Sequence, residues 1–119
     1  MSEFDIYDRT FSFACRVVKL CQIIERKRTV NRSVVGQLLR AGTSVGANLA
    51  EGKGAQSRAD FIHKVTMSTK EAHETYYWLR IIAACEIENG AELQSLLGEA
   101  NELIAVLTAI ARNAKRNAE

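Results

Sequence analysis

The side chains best suited to acid–base catalysis or metal binding are few and poorly spaced in this sequence. The two histidines, His63 and His73, are ten residues apart, which on a helix places them about 80° away from a shared azimuth. A di-iron site in a helical bundle uses two Glu-x-x-His motifs and further carboxylates, whereas this chain offers only Asp60 before His63 at that spacing. The sequence therefore predicts no metal site and no cofactor.

The cysteines and glycines do not indicate a nucleophile, a zinc site or a phosphate loop. The three cysteines, Cys15, Cys21 and Cys85, include no Cys-x-x-Cys pair, the spacing that zinc and redox sites need. Each lies in an apolar pattern, so we expect three small buried hydrophobic residues. Residues 52–54 read Gly-Lys-Gly and lack the Lys-Ser/Thr ending of a phosphate loop. With no nucleophile beside a base, the sequence predicts that the protein is not an enzyme.

Positive charge is concentrated in the first half of the chain. The formal net charge is +2, yet residues 9–58 hold ten Lys and Arg against two Glu, a balance of +8. Residues 71–102 hold seven Glu against one Arg. This asymmetry indicates either an anionic partner for one face or two faces that attract each other, within the bundle or between subunits. The sequence leaves both interpretations open.

The cations that can contact RNA phosphates cluster at two predicted turns, although charged turns are commonly just solvated. These turns lie at opposite ends of the second predicted helix, so one chain does not form a single patch. In a ring of subunits each cluster repeats, and repeated weak phosphate contacts add avidity. The candidates are Arg26, Lys27, Arg28 and Arg32 at the first turn, and Lys53 and Arg58 at the second.

Four segments must position these side chains. Apolar residues recur every three or four positions in each, as one face of a helix requires. We predict helices over residues 6–27, 32–52, 58–87 and 91–114. The chain has no proline and no linker, and the turns are short, which favours antiparallel neighbours. The predicted fold is all-α, an antiparallel up-down-up-down four-helix bundle forming a single domain over residues 1–119.

Residue types at the helix ends predict how the turns are made. Asn31 is the expected N-cap of the second helix, and Ser57 with Asp60 forms a capping box for the third. Gly52 or Gly54 is expected to supply a left-handed C-cap. Asn-Gly at residues 89–90 tolerates positive φ and predicts the last turn.

The first and second helices show more than one core stripe. In the first, Phe13, Val17, Leu20 and Ile24 lie beside Phe11, Ala14, Val18 and Cys21. That apolar sector is wider than one core contact needs, which favours a second buried side facing another subunit. In the second, a small-residue row of Gly42, Gly46 and Ala50 permits close approach of another helix.

A polar row follows the second helix beside its core positions. Unpaired charge near a core is costly, so we expect these side chains to find partners, with pairing to each other across a symmetric interface as one option. Contact of Arg40 and Asn48 with a ligand such as a phosphate is the alternative. The row consists of Gln37, Arg40, Ser44, Asn48 and Glu51.

Residues 37–52, Gln-Leu-Leu-Arg-Ala-Gly-Thr-Ser-Val-Gly-Ala-Asn-Leu-Ala-Glu-Gly, resemble a bacterial family of four-helix-bundle proteins encoded in intervening sequences of 23S ribosomal RNA genes. A related branch is the accessory variability protein of diversity-generating retroelements. The family patterns Gln-Leu-x-Arg-Ala and Ser-x-x-x-Asn-x-x-Glu-Gly are matched by Gln37, Leu38, Arg40, Ala41, Ser44, Asn48, Glu51 and Gly52. Asp60 replaces Glu in the following Ser-x-x-Glu-Phe pattern, and Gly42 and Gly46 stand where relatives usually carry Ala or similar small residues.

This resemblance implies a protomer that assembles into a homopentamer with a positive surface for RNA or DNA. We therefore predict a non-enzymatic, homo-oligomeric RNA-binding protein. The alternative is a protein-binding scaffold, such as an accessory subunit of a retroelement reverse transcriptase.

The sequence also bears on location. It has no run of about 20 apolar residues, and its acidic, mixed start is unlike a secretory signal. We expect a cytoplasmic protein with no membrane partner.

Overall fold

The computed structural model describes residues 3–27 and 32–118 and folds them into four helices. They are α1 (Glu3–Glu25), α2 (Arg32–Lys53), α3 (Arg58–Ala84) and α4 (Ala91–Ala118). Each helix packs against its neighbours in sequence, and α4 closes the ring against α1, while no Cα atoms of the diagonal pairs lie within 8 Å of each other. The bundle measures 51 × 21 × 19 Å. The predicted all-α four-helix bundle is confirmed.

The core is built from the predicted apolar stripes. Phe13, Val17, Leu20 and Ile24 of α1 are buried, as are Leu38, Val45 and Leu49 of α2. Helices α3 and α4 contribute Val65, Ala72, Leu79, Leu93, Leu96, Ala100, Leu103 and Leu107. Full burial of a leucine or phenylalanine stabilises a fold by about 1.5–3 kcal/mol, so these stripes determine how the helices face each other.

One helix in the described part of the chain, α4, is long and apolar enough to cross a membrane by length and composition alone. Its leucines at positions 93, 96, 103 and 107 are fully buried against the other helices. Packing inside the bundle uses part of this apolar composition, since 28% of the segment is buried there.

The small residues of α2 lie where its neighbours come closest. A Cβ at Gly42 would lie 2.7 Å from Val17 Cγ1, and one at Gly46 would lie 3.3 Å from the carbonyl oxygen of Thr10. These contacts confirm the close approach that the small-residue row predicts, and they identify α1 as the approaching helix. On the other side of α2, a Cβ at Gly52 would lie 3.0 Å from Lys64 Cβ of α3.

The turn between α3 and α4 differs from its prediction. Helix α3 ends at Ala84 rather than at residue 87, because the N–H groups of Glu86 and Ile87 donate to Ala83 O and Ile82 O at 3.1 and 3.0 Å. This pair of bonds is a Schellman motif, whose left-handed position is occupied by Glu86 at φ 56°. The turn predicted at residues 88–90 is present between the two helices, but Asn89 and Gly90 do not have positive φ. The left-handed position comes earlier, at Glu86, and Ile87 returns to the core edge.

The left-handed C-cap expected at Gly52 or Gly54 is also wrong, because no described glycine has positive φ. Gly52 remains helical against Lys64. The chain then turns through right-handed bonds, with the N–H of Gly54 donating to Glu51 O at 3.3 Å and that of Ala55 to Gly52 O at 3.1 Å.

The other helix ends are close to their predictions. The hydroxyl oxygen of Ser57 accepts from the N–H of Asp60 at 3.1 Å, so Ser57 is the N-cap of α3 as expected. Helix α1 ends at Glu25, which places Arg26 and Lys27 in the following turn rather than in the last helical turn. The predicted N-cap Asn31 lies outside the described residues.

Two of the three cysteines depart from the prediction of burial. Cys21 is buried between α1 and α2, with its thiol 3.8 Å from Val35 O. Cys15 and Cys85 are exposed. Cys15 lies on the outward side of α1, and Cys85 is the C-cap residue beyond the last turn of α3, so neither is covered by a neighbouring helix.

Candidate functional site

Four of the ten cations in residues 9–58 form ion pairs with Glu residues of the acidic second half. Across α1 and α4, Arg9 forms a two-pronged contact with Glu99, at 2.7 Å from Nε and 2.6 Å from Nη2. Arg9 also contacts Glu102 at 3.0 Å, and Arg16 contacts Glu92 at 2.8 Å. The hydrogen bonding that Arg9 donates to Glu99 raises the pKa of Arg9, with smaller contributions from the charges of Glu99 and Glu102.

Two further cations of the first half pair with Glu residues of the second. Arg40 on α2 bridges Glu74 and, at 3.1 Å, Glu71, both on α3. The Glu74 hydrogen bond is the main reason that the pKa of Arg40 is raised. Lys27 pairs with Glu88. These ion pairs show that the basic and acidic halves attract each other within the bundle, which is one of the two interpretations of the charge asymmetry.

Several of the candidate cations keep their charge exposed at the ends of the bundle. Arg26, Arg32 and Arg58 are exposed and contact no carboxylate among the side chains that the structure describes, in residues 6–27 and 32–117. Lys53 lies 5.0 Å from the centre of the Tyr7 ring, a cation–π contact. Lys27 is engaged by Glu88. The candidate Arg28 lies outside the described residues.

The two clusters occupy opposite ends, as predicted. The Lys27–Glu88 contact brings the α1–α2 turn beside the α3–α4 turn, while the Lys53–Tyr7 contact places the end of α2 near the start of α1. Helix α4 runs towards that second end, where Arg112, Lys115 and Arg116 are exposed.

The polar row of α2 is linked along the helix and to α3. Ser44 donates to the carbonyl oxygen of Arg40 at 2.6 Å, and the Asn48 amide donates to that of Ser44 at 2.9 Å. Glu51 accepts from Lys64 at 3.4 Å, and the Gln37 amide oxygen lies 3.5 Å from Arg40 Nε. The row therefore finds partners inside one chain, and its role at a symmetric interface stays a prediction.

An uncharged hollow lies on the outer surface between α1 and α2, and we call it the α1–α2 face. Its volume is about 330 Å³. Phe11 stands on it with 71% of its surface exposed, which matches the second apolar stripe predicted for α1. The lining includes Phe11, Ala14, Thr43, Gly46, Ala47 and Ala50.

A second hollow, of about 190 Å³, lies on the outward side of α3. Tyr77, Arg80, Ile81 and Ala84 line it. Tyr77 is 55% exposed, whereas its place in the sequence suggests only a wider core stripe. The missed signal is its register: Tyr77 is two residues from both buried Thr75 and buried Leu79, so it points about 200° away from each.

Metal-binding and acid–base groups do not converge in the described residues. No group of three or more His, Cys, Asp and Glu side chains there is placed to hold a metal ion. His63 and His73 are exposed on α3, and Asp60 lies in its first turn.

Comparison with known proteins gives one family and one structural relative of note. The model of a family described as the 23S rRNA-intervening sequence protein matches residues 2–109. A crystal structure of a protein of unknown function from the S23 ribosomal protein family of Bacteroides thetaiotaomicron is 36% identical, with a TM-score of 0.84. The match covers 89% of this chain and 97% of that one. No curated protein matches.

Proposed function

The chain belongs to the 23S rRNA-intervening sequence protein family, and from that premise we propose that it is a non-enzymatic homo-oligomer, a pentamer, that binds RNA through the basic ends of its bundle. The observation that carries the proposal is which charged side chains pair inside the bundle and which cations do not. Six of the seven Glu in residues 71–102 are engaged by Arg9, Arg16, Lys27 and Arg40, yet the end cations stay exposed.

The chemistry of these cations suits a phosphate backbone. Arg26, Arg32 and Arg58 present planar guanidinium groups, which match phosphate geometry with two parallel hydrogen bonds. An anionic polymer that binds them gains from counterion release. One chain offers only a few such contacts at each end, so binding of useful strength depends on repeating them.

Self-association supplies that repetition. The α1–α2 face is uncharged, and Phe11 exposes most of its ring there. Covering such a ring with a second copy buries apolar area and aligns the ends of neighbouring bundles. Each end then forms a basic rim with one cluster per subunit, which adds avidity to weak phosphate contacts.

The RNA-binding part is tested by fluorescence anisotropy of a labelled structured RNA between about 50 and 200 mM salt, where multi-phosphate contacts weaken strongly. We expect tight binding at low salt that falls steeply across the series. Arg26→Glu should weaken it, and adding Arg32→Glu should abolish it. Lys19→Glu is the matched control, because Lys19 is an exposed cation of the same segment but lies away from the turn.

The self-association part is tested by light scattering. The wild type should give the mass of five chains, and Phe11→Glu should reduce the mass towards that of one. Ile23→Glu is the control, since Ile23 is another exposed apolar residue of α1, 44% exposed, but lies about 120° further round the helix. A monomeric wild type contradicts this part of the proposal.

The alternative, a protein-binding scaffold such as an accessory subunit of a reverse transcriptase, has its own outcome. An intact oligomer that binds no RNA even at about 50 mM salt moves the assignment to that alternative.

A further inference from the structure

The outward side of α3 combines an exposed aromatic ring with an arginine that is not neutralised. Tyr77 is 55% exposed, and Arg80, one turn further on, borders the same hollow of about 190 Å³. Arg80 has no ion pair or hydrogen bond to the residues that the structure describes. The α1–α2 face carries an aromatic ring without a charge, so these two surfaces suit different partners.

The Tyr77 ring packs against a second aromatic ring. The centroids of Tyr77 and Trp78 are 5.5 Å apart and their planes meet at 72°, an edge-to-face arrangement. Trp78 is partly buried and packs against the core. A ring that already packs against a neighbour has less conformational freedom to lose when a second flat group stacks on its open side.

The charges around the ring favour an anionic ligand. His63, Lys70, His73, Tyr77 and Arg80 recur every three to seven residues, and all are exposed. The nearest acids of the helix, Glu71 and Glu74, are turned towards Arg40 of α2. The stripe itself therefore carries cations, imidazoles and a phenol but no carboxylate.

A flat aromatic surface beside a guanidinium is the arrangement that recognises single-stranded RNA. Bases stack on Tyr rings, and arginine binds the flanking phosphate or stacks in turn. We propose that Tyr77 and Arg80 form a stacking site for an unpaired nucleotide of RNA, with the base on the Tyr77 ring and a neighbouring phosphate on Arg80. The site rests on the proposed RNA binding but adds a contact on the last turns of α3, at the end of the bundle that also carries the α1–α2 turn.

The test uses the one tryptophan of the chain. Since Trp78 touches the Tyr77 ring, a base stacked on Tyr77 should change Trp78 emission. We expect this change with a single-stranded oligouridine of about 12 nucleotides, a length within known single-strand site sizes, and no change with a duplex of equal length. Tyr77→Ala should weaken oligouridine binding by at least about fivefold, and Tyr77→Phe should restore it.

The arginine has a separate readout. Arg80→Gln should weaken binding and reduce the salt slope by about one phosphate contact. Lys19→Gln, which removes an exposed cation from α1, should leave oligouridine affinity unchanged. Circular dichroism of each variant checks that the bundle is folded, and light scattering checks its assembly.

The outcomes separate this site from the proposed function. If structured RNA binds and depends on Arg26 and Arg32, but Tyr77→Ala leaves oligouridine affinity and Trp78 emission as in the wild type, the stacking site is wrong and the proposed function stands. If neither RNA binds at low salt, both are wrong. If Tyr77→Ala instead dissociates the oligomer, the occupant of this surface is a second copy and the stacking site is overturned.

Discussion

At the scale of single residues, the three thiols differ in their access to solvent and reagents. Burial, with a smaller contribution from the charge of Glu25, raises the pKa of the Cys21 thiol to about 11. Only the thiolate reacts readily, so Cys21 should be inert in the folded protein. Cys15 and Cys85 are exposed. We expect a colorimetric thiol titration at neutral pH to count two reactive groups in the native protein and a third only after denaturation.

Single substitutions show which cysteine accounts for each reactive thiol. Cys15→Ser and Cys85→Ser should each remove one fast thiol, while Cys21→Ala should leave the native count unchanged. Three fast thiols in the native wild type would show that α1 and α2 separate readily around Cys21.

Glu88 gives a pH dependence whose sign follows from its surroundings. The hydrogen bond from Lys27, followed by that from the N–H of Gly90 at 2.8 Å, holds the pKa of Glu88 below its usual range. A carboxyl with a lowered folded pKa stabilises the fold above the unfolded pKa, about 4.3, and this contribution disappears as the pH falls through the folded value. Glu88→Gln should therefore lower the free energy of unfolding at pH 7, by at most about 1 kcal/mol because the pair is partly solvated.

The measurement is urea unfolding of both proteins across the acid range. The difference between them should narrow as the pH drops below about 4. Glu86→Gln is the control, because Glu86 is exposed and makes no ion pair to the described residues. An equal difference at neutral and acid pH would mean that the Glu88 carboxylate does not stabilise the fold.

At the scale of helices, substitutions at two glycines of α2 can distinguish the effect of packing on stability from that of intrinsic helix propensity. Alanine favours a helix over glycine by about 1 kcal/mol, and nothing lies within 4 Å of a Cβ built on Gly36. Gly36→Ala should therefore stabilise the protein by about that amount. A Cβ on Gly42 would lie 2.7 and 2.9 Å from the two Val17 methyl carbons, and overpacking costs about 1–3 kcal/mol. Gly42→Ala should be neutral to destabilising, by up to about 2 kcal/mol.

Chemical unfolding of the two variants beside the wild type gives the comparison. The double variant Gly42→Ala/Val17→Ala supplies the control, since removing the Val17 methyls makes room for the new Cβ. Equal stabilisation by both single alanines would show that α1 moves away from α2 at little cost.

The sequence was enough to predict which segments form helices and which face of each is buried, but several helix ends were not predictable. Period-three-to-four apolar spacing predicted the buried positions of α4, such as Leu93 and Leu107, because burial of a stripe outweighs local preferences. The end of α3 depends instead on where Ile87 meets the core, and this forces Glu86 into a conformation that glycine would adopt more easily. Residue preferences alone predicted the turn at Asn89-Gly90.

For the whole molecule, the sequence predicted the charge asymmetry but not its partner. The same ten cations fit an external polyanion or the Glu residues of α3 and α4, and only the packing order of helices decides between them. The candidate site was likewise predictable from the sequence only in part. Arg26, Arg32 and Arg58 stay exposed as predicted, while Lys27 is drawn to Glu88, and Tyr77 was missed because apolar spacing does not tell an outward ring from a core ring.

Ion pairs of two arginines link α1 to α4 and close the ring. The backbones of these two helices approach each other closely at fewer positions than those of any other adjacent pair, and Arg9 and Arg16 connect them. The Arg9 and Glu99 side chains are 22% and 16% exposed, against 31% and 50% for Arg16 and Glu92. A two-pronged, partly desolvated pair is stronger than an exposed single contact.

In double-mutant cycles of unfolding, Arg9→Met with Glu99→Gln should show a coupling of about 1 kcal/mol. The Arg16→Met and Glu92→Gln cycle should give less than about 0.5 kcal/mol, and equal couplings would mean that packing, not the Arg9 pair, closes the bundle.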